Sequence, residues 1–203
     1  MRALLFRLLR PVIQLVGHIH WPFVNKSAAR YYHTLVGMMQ PGDVILSTTY
    51  GYASNLGNPG RFKHAILYLG TENGIPMVVE AIGEGVTKRA LVECIAEKDE
   101  IAVVRSREIR PSGKSFKAAL QWLEEQIGKP YDYDFDMVGR RKYDNFFCSE
   151  LCLAFWQKIN PGISFVLMKT FGVDTVSPND FYRAAPKKTE VVFDSKLVSA
   201  SAK

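Results

Sequence analysis

The sequence predicts a mixed α and β fold, and three observations carry the prediction. His64 to Leu69 and Pro76 to Ile82 are runs rich in strand-forming residues on either side of Gly70-Thr-Glu-Asn-Gly74, the pattern of an antiparallel hairpin. Phe116, Ala119, Leu120, Leu123 and Ile127 recur at the spacing of one helical face. A second helical stretch runs from about Phe147 to Ile159 and stops at Asn160-Pro161-Gly162. With 203 residues, 47% of them apolar, the chain suits one domain with decorations and can bury a core.

In chain order, Leu4, Leu5, Leu8, Leu9 and Val12 share one face of a predicted helix over residues 2–16, with Arg7 and Arg10 nearer the other. This pattern fits a helix at a membrane surface or one packed on the domain. The two arginines break the run and no clean cleavage site follows, so a signal peptide is not expected. Pro41-Gly42-Asp43 is a turn that opens the strand Val44-Ile45-Leu46, and Tyr50 to Lys63 is a loop by composition. After the hairpin, Val86 to Val92 and Ile101 to Arg105 are predicted strands. Ser112 is placed to cap the next helix, which Gly128 ends. Asn145 is the predicted N-cap of the second helix, which makes Cys148 its third residue. Ser177-Pro178 opens a short helix over Asn179 to Ala184, Val191 to Phe193 is a last strand, and the tail after Ser195 is expected to fray.

The net charge of +6 lies at the ends. Residues 1–40 carry five bases and no acid, a net +5. Residues 183–203 carry five bases against Glu190 and Asp194, a net +3. The middle holds 16 bases and 18 acids, a net −2. A nucleic-acid cleft would put its charge on the body of the fold, so no nucleic-acid partner is expected. Cys94, Cys148 and Cys152 form no disulfide framework, and with four scattered histidines they show no zinc-ligand spacing. Asp132-Tyr-Asp134-Phe-Asp136 resembles the start of a calcium loop. It has Met137 where the loop needs glycine and Tyr143 where it needs glutamate, so no metal is assigned. Arg140-Arg141-Lys142 fits a solvated face or a contact with an acidic substrate or headgroup.

The candidate chemistry sits at Cys148. A helix's first turn favours a thiolate, through the dipole and its unpaired N–H groups. Packing alone would also explain a cysteine there, and Cys152, one turn deeper, reads as a core thiol. A nucleophile needs a base, and the base needs an orienting group. His64 opens a strand, and the hairpin places it opposite Glu80 or a near neighbour. A glutamate within Val-Val-Glu-Ala-Ile is costly to bury unless paired. Either Glu80 pairs with His64 on one sheet face, or it points to solvent. Paired with His64, Cys148 is expected to be partly exposed with a depressed pKa. Cys152 should be ordinary or raised, and Cys94 has no basic partner identifiable from sequence.

Together these segments resemble the permuted NlpC/P60 papain-like superfamily, that is, amidases of the YiiX/YaeF type and, more distantly, lecithin retinol acyltransferase. The matching stretches are Pro41 to Leu46, Lys63 to Gly70, Val79-Glu-Ala81 with Gly85-Val86, Gly128-Lys-Pro-Tyr-Asp132, Phe147-Cys-Ser-Glu-Leu151 and, more weakly, Val176 to Phe181. The resemblance implies an α+β fold: an antiparallel sheet curled toward a barrel and packed on the helix that carries the cysteine. It implies Cys148 as nucleophile, His64 as base and Glu80 as third member, with no cofactor. The Cys148 N–H would hold the oxyanion, and Tyr50, Tyr52 and Asn55 are candidate second donors or substrate contacts. The expected organisation is a basic extension over residues 1–40, a catalytic domain over 41–195 and a flexible tail over 196–203. The expected substrate is an amide of the cell-wall, γ-glutamyl type or a lipid acyl bond, in a cytoplasmic or membrane-peripheral protein, with residues 2–16 as a possible membrane contact. The rival is a non-catalytic membrane- or virion-associated module of the same fold.

Overall fold

Strand-forming runs bounded by turn residues assemble into one antiparallel sheet in the computed structural model, which describes residues 28–52, 60–135, 137, 144–166, 168–170 and 173–201. The predicted helix over residues 2–16, Asn55 and Arg140-Arg141-Lys142 lie outside the described residues. The sheet strands are β1 (Val44–Thr48), β2 (His64–Glu72), β3 (Ile75–Ile82), β4 (Gly85–Ala90), β5 (Glu100–Ser106) and, after a small two-stranded ribbon β6 (Met168–Thr170) and β7 (Val173–Thr175), β8 (Thr189–Asp194). Their spatial order is β4-β3-β2-β1-β5-β8, every pair antiparallel.

Both faces of the sheet are covered, which is why β1 is buried at every position. Val44, Leu46, Ala65, Leu67, Val79 and Val104 point to an inner face. There they meet α3 (Gly113–Glu124) and α4 (Cys148–Ile159). Ile45, Ile66, Tyr68, Val78 and Val103 point to the opposite, outer face, covered by a 3-10 turn (Ala28–Tyr31), α1 (Tyr32–Met38) and α2 (Leu91–Ala96). Helices α5 (Pro178–Arg183) and α6 (Ser195–Ser201) flank β8.

The structure corrects several local expectations. The hairpin loop is tighter than Gly70 to Gly74: the strands run on to Glu72 and Ile75 around Asn73-Gly74, whose positive φ values of 49° and 82° suit a two-residue turn. A bulge between Tyr68 and Gly70 absorbs the extra residue. The strand expected to reach Val92 ends at Ala90, and Leu91 opens α2, because Leu91, Cys94 and Ile95 fall at helical spacing and pack on the outer face. Helix α3 begins after Ser112, which makes no side-chain cap bond. Residues 195–201 are helical rather than frayed. Asp194 Oδ1 accepts the Lys196 N–H at 2.9 Å, and the Ser199 hydroxyl bonds back to the Ser195 carbonyl at 2.7 Å.

Helix α4 is tied to the sheet from its far end by Trp156. The indole is fully buried and donates to the Gly42 carbonyl at 2.8 Å. Trp156→Phe keeps an aromatic ring but removes that donor from a buried carbonyl and leaves part of the indole's volume unfilled. The expected loss is about 1–3 kcal/mol by urea unfolding, and an unchanged midpoint would contradict the role given to this bond.

Candidate active site

Phe147 is extended and Cys148 is the first residue of α4. This corrects the reading of Asn145 as the cap. Its side-chain amide is spent on Asp132 Oδ1 at 3.2 Å, and the cap position falls to Phe147, which makes no cap bond. Cys148 therefore lies two positions nearer the helix start than predicted. The segment before it is held on both sides. Phe146 bridges Tyr131, and Phe146 N–H donates to the Pro130 carbonyl at 3.2 Å. The Lys129 carbonyl in turn accepts the Val86 N–H at 2.8 Å. A side chain at Gly85 would come within 2.5 Å of that Lys129 oxygen, so glycine is required where β4 meets this strap.

His64 is positioned by its neighbours. The Phe62 backbone is clamped by Asn179 of α5, which accepts its N–H at 3.0 Å and donates to its carbonyl at 2.8 Å. Arg61 grips Asp194 through two 2.6 Å bonds and Glu100 through one of 2.9 Å. The register of β2 and β3, continued one step past Leu67↔Val79, sets Glu80 across from Ile66, one same-face step from His64. The imidazole Nε2 and Glu80 Oε2 are 2.6 Å apart, with the Glu80 side chain fully buried. The two groups share a face on adjacent antiparallel strands.

The β2–β3 ladder ends at Leu67↔Val79, beyond which β3 pairs only with β4. The Ala65 N–H thereby released bonds the Cys148 sulfur instead, as does the Ser149 N–H of the helix's own first turn. The imidazole also hydrogen-bonds the sulfur. With Nε2 on Glu80, Nδ1 is the nitrogen left to face it. So His64 links an outer-face carboxylate to an inner-face helix, through the gap where two strands part.

Electrostatics follow from this packing. Burial alone would raise the Cys148 pKa. The His64 imidazolium, followed by the two N–H bonds, outweighs it and lowers the pKa below the ordinary thiol value. Burial alone would lower His64. The Cys148 thiolate and then Glu80 outweigh it and raise the imidazole to about 9. Burial alone would raise Glu80, whereas His64, Lys98 and Arg89 bring it to about 2. Arg89 Nε holds the second Glu80 oxygen at 2.5 Å. Cys152 is pushed well up by burial. Cys94, for which the sequence suggested no notable environment, packs against Glu80 Oε1 at 3.7 Å and is pushed up to about 12 by burial and that carboxylate. Cys148 is only 6% exposed, less than expected, because α4 is buried on nearly all sides along its first nine residues.

Of the other candidates, Tyr50 is corrected. Its hydroxyl donates to Glu100 and its N–H to Asp99 at 2.8 Å, so its donor is spent in the Arg61 cluster. Tyr52 is 36% exposed. A residue that sequence reasoning did not single out is Tyr131. Its phenol is raised well above the ordinary value by burial and then by the Cys148 charge, so it stays a protonated donor near the sulfur. The signal for it was the Gly128-Lys-Pro-Tyr-Asp132 stretch, in which Lys129 and Tyr131 carry side-chain donors and the Lys129 ammonium donates to Gln126 Oε1 at 2.7 Å. Among the described residues, no group of three or more His, Cys, Asp or Glu side chains could hold a metal ion.

A strand-borne histidine between a helix-start thiol and a buried carboxylate, with the thiol late in the chain, is the arrangement of a circularly permuted papain-like fold. Residues 38–202 match the profile of the permuted papain-like amidases, the YaeF/YiiX, C92 family, and the chain belongs to that family. The crystal structure of YiiX from Escherichia coli O157:H7, reported as a metalloprotein, superposes with a TM-score of 0.64 at 20% identity, over 78% of this chain and 98% of that one. No curated protein matches.

The depressed Glu80 pKa makes a pH prediction. A carboxylate lowered from 4.5 to about 2 contributes stability that is present above 4.5 and lost as pH falls toward 2. Chemical denaturation of the wild type should therefore weaken across that window, and Glu80→Gln should flatten the dependence. An equally steep fall in the variant would assign the acid sensitivity elsewhere.

Proposed function

We propose that this protein is a cysteine amidase working through Cys148, His64 and Glu80. The observation that carries the reading is His64, bonded at once to the Cys148 sulfur and to a buried carboxylate 2.6 Å away. The Cys148 thiolate attacks the amide carbonyl while His64 is imidazolium. As the tetrahedral intermediate collapses, His64 gives its proton to the departing amine, and the acyl group remains on sulfur as a thioester. The neutral imidazole then takes a proton from water, hydroxide adds to the thioester, and the carboxylic acid leaves with return of the thiolate. Glu80 keeps the imidazole oriented and supports its charge, and Arg89 holds Glu80 ionised. The Cys148 N–H at the helix start and the Tyr131 hydroxyl are the donors assigned to the oxyanion. The substrate classes put forward are a γ-glutamyl-type peptide amide and a lipid acyl bond.

Activity should follow the state in which Cys148 is thiolate and His64 imidazolium. The kcat/KM profile is expected to rise through the lowered thiol pKa and fall through about 9. The test is incubation with γ-glutamyl peptide amides and with long-chain acyl amides and esters, read by intact-protein mass. An acyl adduct on Cys148, absent in Cys148→Ala, is the expected result. His64→Ala should lower kcat by about 10²–10⁴-fold. No adduct and no turnover with either class would favour the non-catalytic module.

A further inference from the structure

The residue after Cys148 and the residue two before His64 are both held by one short stretch of chain. The Ser149 hydroxyl, in the first turn of α4, donates to the Val176 carbonyl at 2.7 Å. Three residues on, the Asn179 amide accepts the Phe62 N–H at 3.0 Å and donates to the Phe62 carbonyl at 2.8 Å, and Phe62 leads through Lys63 into His64. Ser149, Val176, Asn179 and Phe62 are all buried. The stretch between the two anchors is itself stiff. Pro178 opens α5 with a fixed φ, and Asp180 Oδ2 accepts the Ser177 N–H at 2.7 Å and the Ser177 hydroxyl at 2.8 Å. Further along α5, the Phe181 carbonyl accepts the Thr189 hydroxyl of β8 at 2.9 Å, which ties the stretch to the sheet. Backbone also packs closely on the Asn179 amide: a side chain at Gly60 would come within 2.5 Å of its nitrogen.

On the reading of Cys148 and His64 as a catalytic pair, we propose that residues 176–179 form a bracket that sets the separation of the two, with Asn179 a positioning residue for the imidazole and Ser149 one for the sulfur. The pair needs such a bracket because each member stands at the end of its element. Cys148 is the first residue of α4 and His64 the first of β2, and β3 no longer backs β2 at His64 because their ladder ends at Leu67. A hydrogen bond between two such ends weakens steeply with small shifts in distance and angle. The bracket closes a ring of contacts: sulfur to Ser149, Ser149 to Val176, Asn179 to Phe62, and His64 back to the sulfur. Ser149 serves it twice, with its N–H on the sulfur and its hydroxyl on Val176. A side-chain amide suits the other anchor because it offers one donor and one acceptor, as the Phe62 backbone does.

The test measures iodoacetamide labelling of Cys148 against pH in the full chain, for wild type, Asn179→Ala and Ser149→Ala, each checked for folding by thermal unfolding. Each substitution should move the Cys148 profile toward higher pH and slow labelling at pH 6 by about three- to tenfold, what one net hydrogen bond is worth. The same substitutions are then made in His64→Ala and read at pH 8. There neither should slow labelling further, because the separation they disturb no longer matters. A merely structural role would lower the unfolding temperature and leave the profile in place. Ser149→Ala, which changes one hydroxyl and keeps the helix, decides the matter if Asn179→Ala does not fold. Wild-type profiles in the folded variants would overturn the proposal, and so would equal slowing in the His64→Ala background. A wild-type Cys148 that titrates as an ordinary thiol would overturn it too, by removing the catalytic pair itself.

Discussion

The buried carboxylate of Glu80 is the constraint on which the rest of the structure depends. A fully enclosed charge in the middle of an apolar strand is sustainable only if both oxygens are bound by cations or donors. Here one oxygen takes His64 and the other takes Arg89, with Lys98 adding its charge. That requirement fixes the imidazole ring, and the ring then has one nitrogen left. The thiol of Cys148 stands at that nitrogen because α4 begins at that residue and because β2 and β3 part there. Had the ladder continued, Ala65 would have spent its N–H on β3, and the sulfur would have lost both a donor and its place.

The scaffold around this arrangement works by clamping short segments from both sides. Asn179 holds the Phe62 backbone, and Asp194 with Glu100 holds Arg61. Lys129, Pro130 and Phe146 hold the strap that carries Tyr131 and leads into Cys148. Asp43, 1% exposed, is answered by Arg105 and anchors the start of β1. In each case a buried polar group on one element is satisfied by another far away in sequence. These satisfied pairs favour one arrangement of the site over its alternatives.

Most of the sheet and the pairing of His64 with Glu80 were legible in the sequence, because alternation and a short hairpin allow few registers. Less legible was anything decided by long-range partners. Asn145 is a good cap by residue type, but tertiary structure uses its amide on Asp132. Val92 lies in a run of strand-like residues, yet Leu91, Cys94 and Ile95 serve the outer face better as a helix. The tail helix depends on Asp194 and on Tyr31 at the other end of the domain. Arg89 and Tyr131 could not be assigned roles from spacing, since Arg89 acts through a cross-strand neighbour and Tyr131 through a bridge to Phe146. Tyr50 shows the converse: its place in a loop beside the site suggested a donor that Glu100 already takes.

The account stands most directly on the ionic state of one thiol. Iodoacetamide alkylation of all three cysteines, followed by peptide mass spectrometry from about pH 5 to pH 9, separates the thiolate from the thiols. Cys148 should be modified first at the acidic end, with Cys94 and Cys152 slow throughout, and His64→Ala should shift the Cys148 profile toward higher pH. If Cys148 titrated like an ordinary thiol, with the same profile in His64→Ala, the coupling between helix start, imidazole and buried carboxylate would be refuted.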